Sequence, residues 1–386
     1  MPEFDPIHHL PDALLERIRE RAAVHDRENT FPQDDLDELR EAGYLSILVP
    51  SELGGAGLGL EQAAILQQRL ATASPATALS INMHLVWTGV AKVFSDRGVP
   101  GLEFVQRGAA AGELFAFGIS EGGNDLVLFG SDTDAAPRPD GGYAFTGTKI
   151  FTSLAPVWTQ LGLHGLDTAS EDAPKLVFAF IDRTDAVVTS DDWDTLGMRG
   201  TQSRTTRLNG AIAKPEHVVR RIDPGPNPDP VVFGIFSVFE ILLASVYTGI
   251  ARRGLELAVA AAQKRTSKKS GKTYSQDPDI RWRIAEMALA YDALPPQIAS
   301  LARDVDEHAD HGVRWFTLLS GVKHRAVVMA KQVVDEAMLV AGGGSYFSSN
   351  ELSRLYRDVL AGMFHPSDPE SAHATAASAW LGPIES

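Results

Sequence analysis

No cysteine occurs anywhere in the chain, which excludes disulfides, thiolate metal ligands and thiol nucleophiles. Positive charge is also short: 35 lysines and arginines stand against 50 aspartates and glutamates, a net charge of −15. That balance disfavours nucleic acid or an anionic membrane surface as the main partner, although a local basic cluster can still hold an anionic ligand. The opening stretch MPEFDPIHHLPDALLERIRE lacks the basic start and apolar core of a secretory signal. No run reads as the ~18 apolar residues that a membrane span needs. The expectation is a cytoplasmic protein without a membrane or nucleic-acid partner.

Signatures of phosphate and metal binding are incomplete. KKSGKT, Lys268 to Thr273, has the tail of a phosphate-binding loop, but the glycine required five residues before Gly271 is Thr266. It reads as a solvated basic loop. GGAGLG at 54–59 and GGNDL at 122–126 do not lie between a strand and a helix, as a dinucleotide fingerprint must. The eleven histidines show no metal-ligand spacing, so no metal site is expected.

What is present is an ordinary globular composition, 44% hydrophobic and 22% charged over 386 residues, enough for two or three domains. Residues 1–113 read as helical: DALLERIRERAAVHDRE and LEQAAILQQRLATA carry apolar residues at three- and four-residue spacing, and Ser74-Pro75 opens a further helix. From 114 to 222 the pattern becomes short β-branched or aromatic runs, YAFTGTKIFTS, KLVFAFID, DAVVTSDDW and TRLNGAIA, separated by turns such as RPDGG. They predict an antiparallel β domain. After the proline-rich DPGPNPDP, residues 230–386 are helical again, beginning with one long apolar helix. The fold class is mainly α with a central β domain, since strands grouped between helical halves argue against a doubly wound sheet.

Along nearly its whole length the chain resembles the acyl-CoA dehydrogenase superfamily. The resemblance rests on YLSILVPSELGGAGLGLEQAAILQQRLA, FGISEGGNDL, TGTKIFTSLAPVW, LGMRGTQSRTTRL, SVYTGIARRGLELA and GGGSYFSSNELSRLYRDV, taken in that order. It implies a helical domain, a β domain and a C-terminal helical bundle, assembled as a homotetramer or homodimer around a flavin. By position, Phe117, Ile119 and Ser120 match the strand that contacts the ring's pyrimidine side. Phe151, Thr152 and Ser153 match the stretch that covers the ring. Arg265 matches an arginine that reaches a neighbouring subunit's flavin diphosphate, and Gly342 and Gly343 match a close backbone approach to it. The usual aromatic-glycine after that arginine is absent and Leu339 replaces a customary glutamine, so FAD is implied with FMN left open.

The resemblance leaves two reactions open, and dehydrogenation of an acyl thioester is the favoured one. A dehydrogenase of acyl thioesters such as acyl-CoA needs a carboxylate to take the α-proton while a hydride goes to flavin N5. The usual position, eight residues after the Arg357-Asp358 pair, holds Pro366. The alternative position on the long helix holds Phe239, with Glu240 one residue later. Glu240 sits in an apolar stretch that should raise its pKa, as a base requires, and is the candidate for α,β-dehydrogenation with an electron-transfer partner. One helical residue is about 100° of rotation, however. The other reading is the superfamily's branch of two-component monooxygenases, which take reduced flavin from a reductase, use oxygen and need no such base. For these, His365 and His84 match histidines beside the ring, while Gly362 stands where a further histidine is expected. A non-catalytic flavin-binding module is the third reading, and the ring-contact hydroxyls argue against it.

Overall fold

The computed structural model describes residues 4–382 and 384. Six helices come first: Pro6–His9 (α1), Asp12–Glu28 (α2), Gln33–Glu41 (α3), Leu60–Ala71 (α4), Pro75–Asp96 (α5) and Glu103–Ala110 (α6). Eight strands follow: Phe115–Gly118 (β1), Asp134–Pro137 (β2), Tyr143–Thr152 (β3), Gln160–Asp167 (β4), Lys175–Asp182 (β5), Val187–Thr189 (β6), Arg204–Ala213 (β7) and Val218–Ile222 (β8). The remaining helices are Pro230–Lys264 (α7), Pro278–Asp292 (α8), Leu294–Asp306 (α9), Arg314–Ala341 (α10), Glu351–Val359 (α11) and Pro369–Leu381 (α12).

Local chemistry accounts for many of these boundaries. The Ser74 hydroxyl accepts the Thr77 N–H and Pro75 fills the first turn, so α5 starts where a donor would otherwise be unpaired. Asp229 does the same for α7 by accepting from the Val231 N–H at 2.8 Å. Helix α8 stops at Pro295-Pro296, which cannot continue its hydrogen-bond ladder but suit the first turn of α9. The start of α4 is capped from elsewhere: the Asp306 carboxylate, at the end of α9, accepts the Leu60 and Glu61 N–H groups. Gly59 is required beside it, because a Cβ there would stand 2.6 Å from that carboxylate. A negative charge at a helix N-terminus is favourable, and this one ties the two helical halves together.

Helix α7 is apolar almost all round and lies in the core, against α4, α5 and α10. By length and composition it passes as a membrane span, contrary to the sequence expectation, with a mean hydropathy of 2.0 over its best window. That window is 89% buried inside the protein, so the hydrophobicity belongs to the core.

The strands form one sheet in the order β6-β7-β3-β2-β4-β5-β8, with β1 also paired to β4. The expected antiparallel arrangement holds for most pairs, but β1 runs parallel to β4 and β2 meets β4 in a parallel bridge. The reason is β4, which sequence reading missed. Its QLGLHGLD lacks β-branched residues, and its glycines answer to distant neighbours. A Cβ on Gly162 would come within 2.3 Å of the Trp87 indole of α5, and one on Gly165 within 2.9 Å of Phe145. Trp87 also donates to the Ala116 carbonyl at 2.9 Å, which docks α5 on the sheet.

Candidate active site

A cleft of about 490 Å³ opens where the ends of β1 and β3 meet α5, α7 and the segment 360–371. One wall is built by an irregularity in β3. Pairing with β7 shifts between Lys149 and Thr152, and Phe151 adopts a positive φ of 57°. A bulky residue in that region is strained and is held there by its surroundings. The bulge turns Phe151 outward to the cleft, 54% exposed, with its ring edge toward Trp193. The Ile150 N–H, freed from the ladder, donates to the Ser120 carbonyl at 2.9 Å. The wall is thus an apolar slab of Phe117, Ile150 and Phe151, edged by the hydroxyls of Ser120, Ser153 and Ser203.

Those hydroxyls are ordered. Ser203 donates to Thr201 at 2.7 Å and Thr201 to the Met198 carbonyl at 2.9 Å, so Ser153 spends its proton on Ser203 at 2.7 Å. What Ser153 offers the cleft is an acceptor.

The loop carrying Ser120, Asn124 and Val127 is fixed by a buried ion pair that sequence reading did not single out. Glu121 meets the Lys149 ammonium at 2.6 Å, and also accepts from Ser131, Thr133, Asn124 and the Asp132 N–H. Lys149 in turn donates to the His164 carbonyl, and His164 bonds the Val127 carbonyl. Burial alone would raise the Glu121 carboxyl, but the Lys149 charge and these donors hold it far below the usual carboxylate range. Lys149, fully desolvated, is pushed down to about 8 despite Glu121, so the pair remains charged at neutral pH. The visible signal was a lysine on the inward side of the alternating stretch YAFTGTKIF.

The opposite rim is also pinned. Arg357 makes a two-point contact with Asp26 of α2 and donates to the Leu196 carbonyl at 3.0 Å. Asp358 accepts the Met198 N–H at 2.6 Å; burial raises its carboxyl to about 6 against that bond. Gly197 must be glycine here, since a Cβ would lie 2.2 Å from the Arg357 carbonyl.

The residues anticipated from the sequence divide sharply. Phe117, Ser120, Phe151, Ser153 and His365 line the cleft together. Ile119 and Thr152 are buried behind it, and the Thr152 hydroxyl has no partner. His84 is a brace: its Nδ1 accepts the Phe115 N–H at 3.2 Å and its Nε2 donates to the Leu45 carbonyl at 2.8 Å. With both nitrogens engaged and burial lowering it to about 4, this imidazole stays neutral. Glu240 does not reach the cleft. Phe239 does, stacked on Phe117 at 5.5 Å, while Glu240 is buried toward α10 and the 362–367 segment. Arg265 and Gly342 meet each other away from the cleft: Arg265 donates to the Val340 and Ala341 carbonyls at the end of α10 and lies over the Tyr274 ring. Gly342 has a φ of 76°, and a Cβ on it would be 2.6 Å from that guanidinium; Gly343 opens the next turn.

His365 faces the cleft half-buried, its ring 5.9 Å from that of Tyr247, with a buried Nε2 that has no partner. Burial and the Lys323 charge keep it neutral, down to about 3. Of the carboxylates on the wall, Glu121 is saturated, Asp368 caps α12 by accepting the Ser371 N–H, and Asp125 stands exposed at the lip.

Comparisons with known proteins agree with this fold. Residues 10–96 match the family described as acyl-CoA dehydrogenase, N-terminal domain, and residues 241–367 match acyl-CoA dehydrogenase, C-terminal domain. Among curated relatives, L-evernosamine nitrososynthase of Micromonospora sp. is 27% identical, over 91% of this chain and 84% of that protein. Dibenzothiophene monooxygenase of Rhodococcus qingshengii is 27% identical, over 93% and 88%. Among solved structures, KijD3 in complex with FMN and dTDP-3-amino-2,3,6-trideoxy-4-keto-3-methyl-D-glucose superposes with a TM-score of 0.85 at 27% identity, covering 97% of this chain and 92% of that one.

Proposed function

This chain belongs to the acyl-CoA dehydrogenase superfamily, and from that premise we propose that it is a flavin-dependent monooxygenase working with reduced FMN and oxygen. The observation that carries this reading is the cleft floor. The two positions where a dehydrogenase base would stand carry Phe239 and Pro366, and the side chain facing the cleft with a free nitrogen is His365. The relatives named a nitrososynthase and a dibenzothiophene monooxygenase support it, and suggest a substrate oxygenated at nitrogen or sulfur.

The wall fits a flavin ring. Phe117, Ile150 and Phe151 suit a flat apolar face, Ser120 and Ser153 suit its polar edge, and the Ser153 acceptor suits an N–H such as reduced flavin carries. Arg357 on the cleft wall is already paired with Asp26, and the similar KijD3 structure is a complex with FMN, which supports FMN over FAD. The Arg265–Gly342 contact would serve a flavin phosphate only across a homodimer or homotetramer interface, and Gly343 would act with it there.

Reduced flavin, supplied by a separate reductase, would bring the two electrons with which one oxygen atom goes to substrate and the other to water. The chain's own part is to hold and shield. Leu79, Met83 and Phe239 exclude water, which strengthens every polar contact inside. His365, neutral, lines the cleft and keeps an unpartnered, buried Nε2, so its imidazole can pass a proton between that atom and the cleft.

Anaerobic mixing of the FMN-loaded protein with a panel of acyl-CoAs tests the reading. The flavin absorbance should persist, and the reduced, FMN-loaded protein admitted to oxygen should oxygenate an amine or thioether substrate. Bleaching by an acyl-CoA with no reductant present would establish dehydrogenation instead.

A further inference from the structure

The 362–367 segment is a thin wall between two spaces. His365 and Pro366 face the cleft. On the other side a second cavity of about 360 Å³ lies against α10, lined by Lys323, His324, Gly362 and Ser367. Three buried polar atoms around this wall have no hydrogen-bond partner: Oε2 of Glu240, the Tyr247 hydroxyl and Nε2 of His365.

These atoms share one neighbourhood. Glu240 and Tyr247 are two turns apart on one face of α7, and both are buried. Tyr247 lies beside His365 and against Gly362, where a Cβ would come within 2.8 Å of its ring. Lys323 reaches in from α10 and donates to the carbonyls of Gly362, His365 and Ser367, each at 3.0 Å. Its three protons are spent on the wall, so its charge is near Glu240 while its hydrogen bonds are not. Asp368 also bears on Lys323, Ser367 on Glu240, and Asp358 on Tyr247.

Buried polar atoms are nearly always partnered, by water where protein supplies nothing. We propose that Glu240, Tyr247 and His365, bridged by buried water, form a proton path from the outer cavity at Lys323 through the wall to the cleft, with Glu240 as its proton store. The carboxyl gives its proton through water to one imidazole nitrogen of His365, which releases a proton from the other toward the cleft. The carboxylate left behind faces the Lys323 ammonium and is reprotonated from solvent through the outer cavity. Burial raises the Glu240 carboxyl more than Lys323 and Ser367 lower it, which favours a stored proton near neutral pH. The path's purpose, but not its existence, rests on the monooxygenase reading, where reducing one oxygen atom to water consumes protons.

Infrared spectroscopy of the flavin-free protein at pH 7 tests the store. The carbonyl stretch of a protonated carboxylic acid, shifted in D2O, should be present and should vanish in Glu240→Gln. In the FMN-loaded protein, Glu240→Gln and Tyr247→Phe should slow aerobic reoxidation of pre-reduced flavin, on the order of a hundredfold for the first, while FMN affinity stays within about twofold. A missing band at pH 7, or reoxidation at the normal rate in both variants, overturns the proposal. Acyl-CoA bleaching would overturn only the monooxygenase reading, since the infrared band is measured without flavin.

Discussion

Replacing Lys149 by methionine should both destabilise the protein and loosen the cleft. The side chain is fully buried and neutralises Glu121 at 2.6 Å. Methionine fills most of the same volume, so the main loss is the charge. Glu121 keeps donors from Ser131, Thr133, Asn124 and the Asp132 N–H, but its carboxylate becomes a buried charge without a counter-ion. Breaking one side of such a pair costs about 3–5 kcal/mol. The sign of the pH dependence follows. In the parent, the depressed Glu121 pKa contributes stability that is present above the ordinary carboxylate range and lost as pH falls through the folded value. In the variant, burial dominates and raises that pKa, so its deficit is largest at neutral pH and shrinks toward pH 5. Because Glu121 holds the loop that presents Ser120 and Asn124, FMN should also bind at least about tenfold more weakly, equivalent to 1.4 kcal/mol. Urea unfolding at pH 7 and pH 5, with flavin fluorescence quenching, measures both. A loss below about 1 kcal/mol with unchanged FMN affinity would refute the reasoning. A Glu121→Leu/Lys149→Met double variant should lose less than the two single losses together.

His84→Leu should cost about 2–4 kcal/mol, since it orphans the Phe115 N–H and Leu45 carbonyl. Because the folded His84 titrates near 4 and the unfolded one near 6.5, the parent loses up to about 3 kcal/mol from this group as pH falls across that window. The variant's stability curve should be flatter there. Ser153→Ala removes one hydroxyl from the cleft edge and should weaken FMN binding about two- to tenfold, read by titration, with thermal stability nearly unchanged. Gly162→Ala drives a methyl to 2.3 Å from the Trp87 ring; denaturant unfolding should show a loss of about 1–3 kcal/mol.

Whatever was local could be read from the chain. Ser74-Pro75 and Asp229-Pro230 mark helix starts through their own side chains, and the three- and four-residue apolar spacing of α2 and α4 repeats over several turns. KLVFAFID is β5 to the residue. Strand β4 could not be read in the same way, because Gly162 and Gly165 are chosen by Trp87 and Phe145, 75 and 20 positions away in the chain. The Glu121–Lys149 pair spans 28 residues and three segments of the β domain, and nothing in either neighbourhood announces the other. His84 carried the right residue type for a ring contact, yet two backbone groups from elsewhere claimed both its nitrogens.

The case of Glu240 shows how one helical step separates two chemistries. Its burial was legible, since an isolated carboxylate in FSVFEILLASVY has nowhere polar to go. Its direction was not, because on a helix buried all round no polar face fixes the rotation. The structure resolves this with Phe239, whose ring stacks on Phe117 at the cleft while Glu240 turns to α10. A carboxylate at 239 would have faced the cleft. At 240 it faces Lys323 and the back of the loop that carries His365, where it bears on the cleft only through protons passed along side chains and water. The same residue type, raised by the same burial, is therefore a base in one register and a proton store in the next.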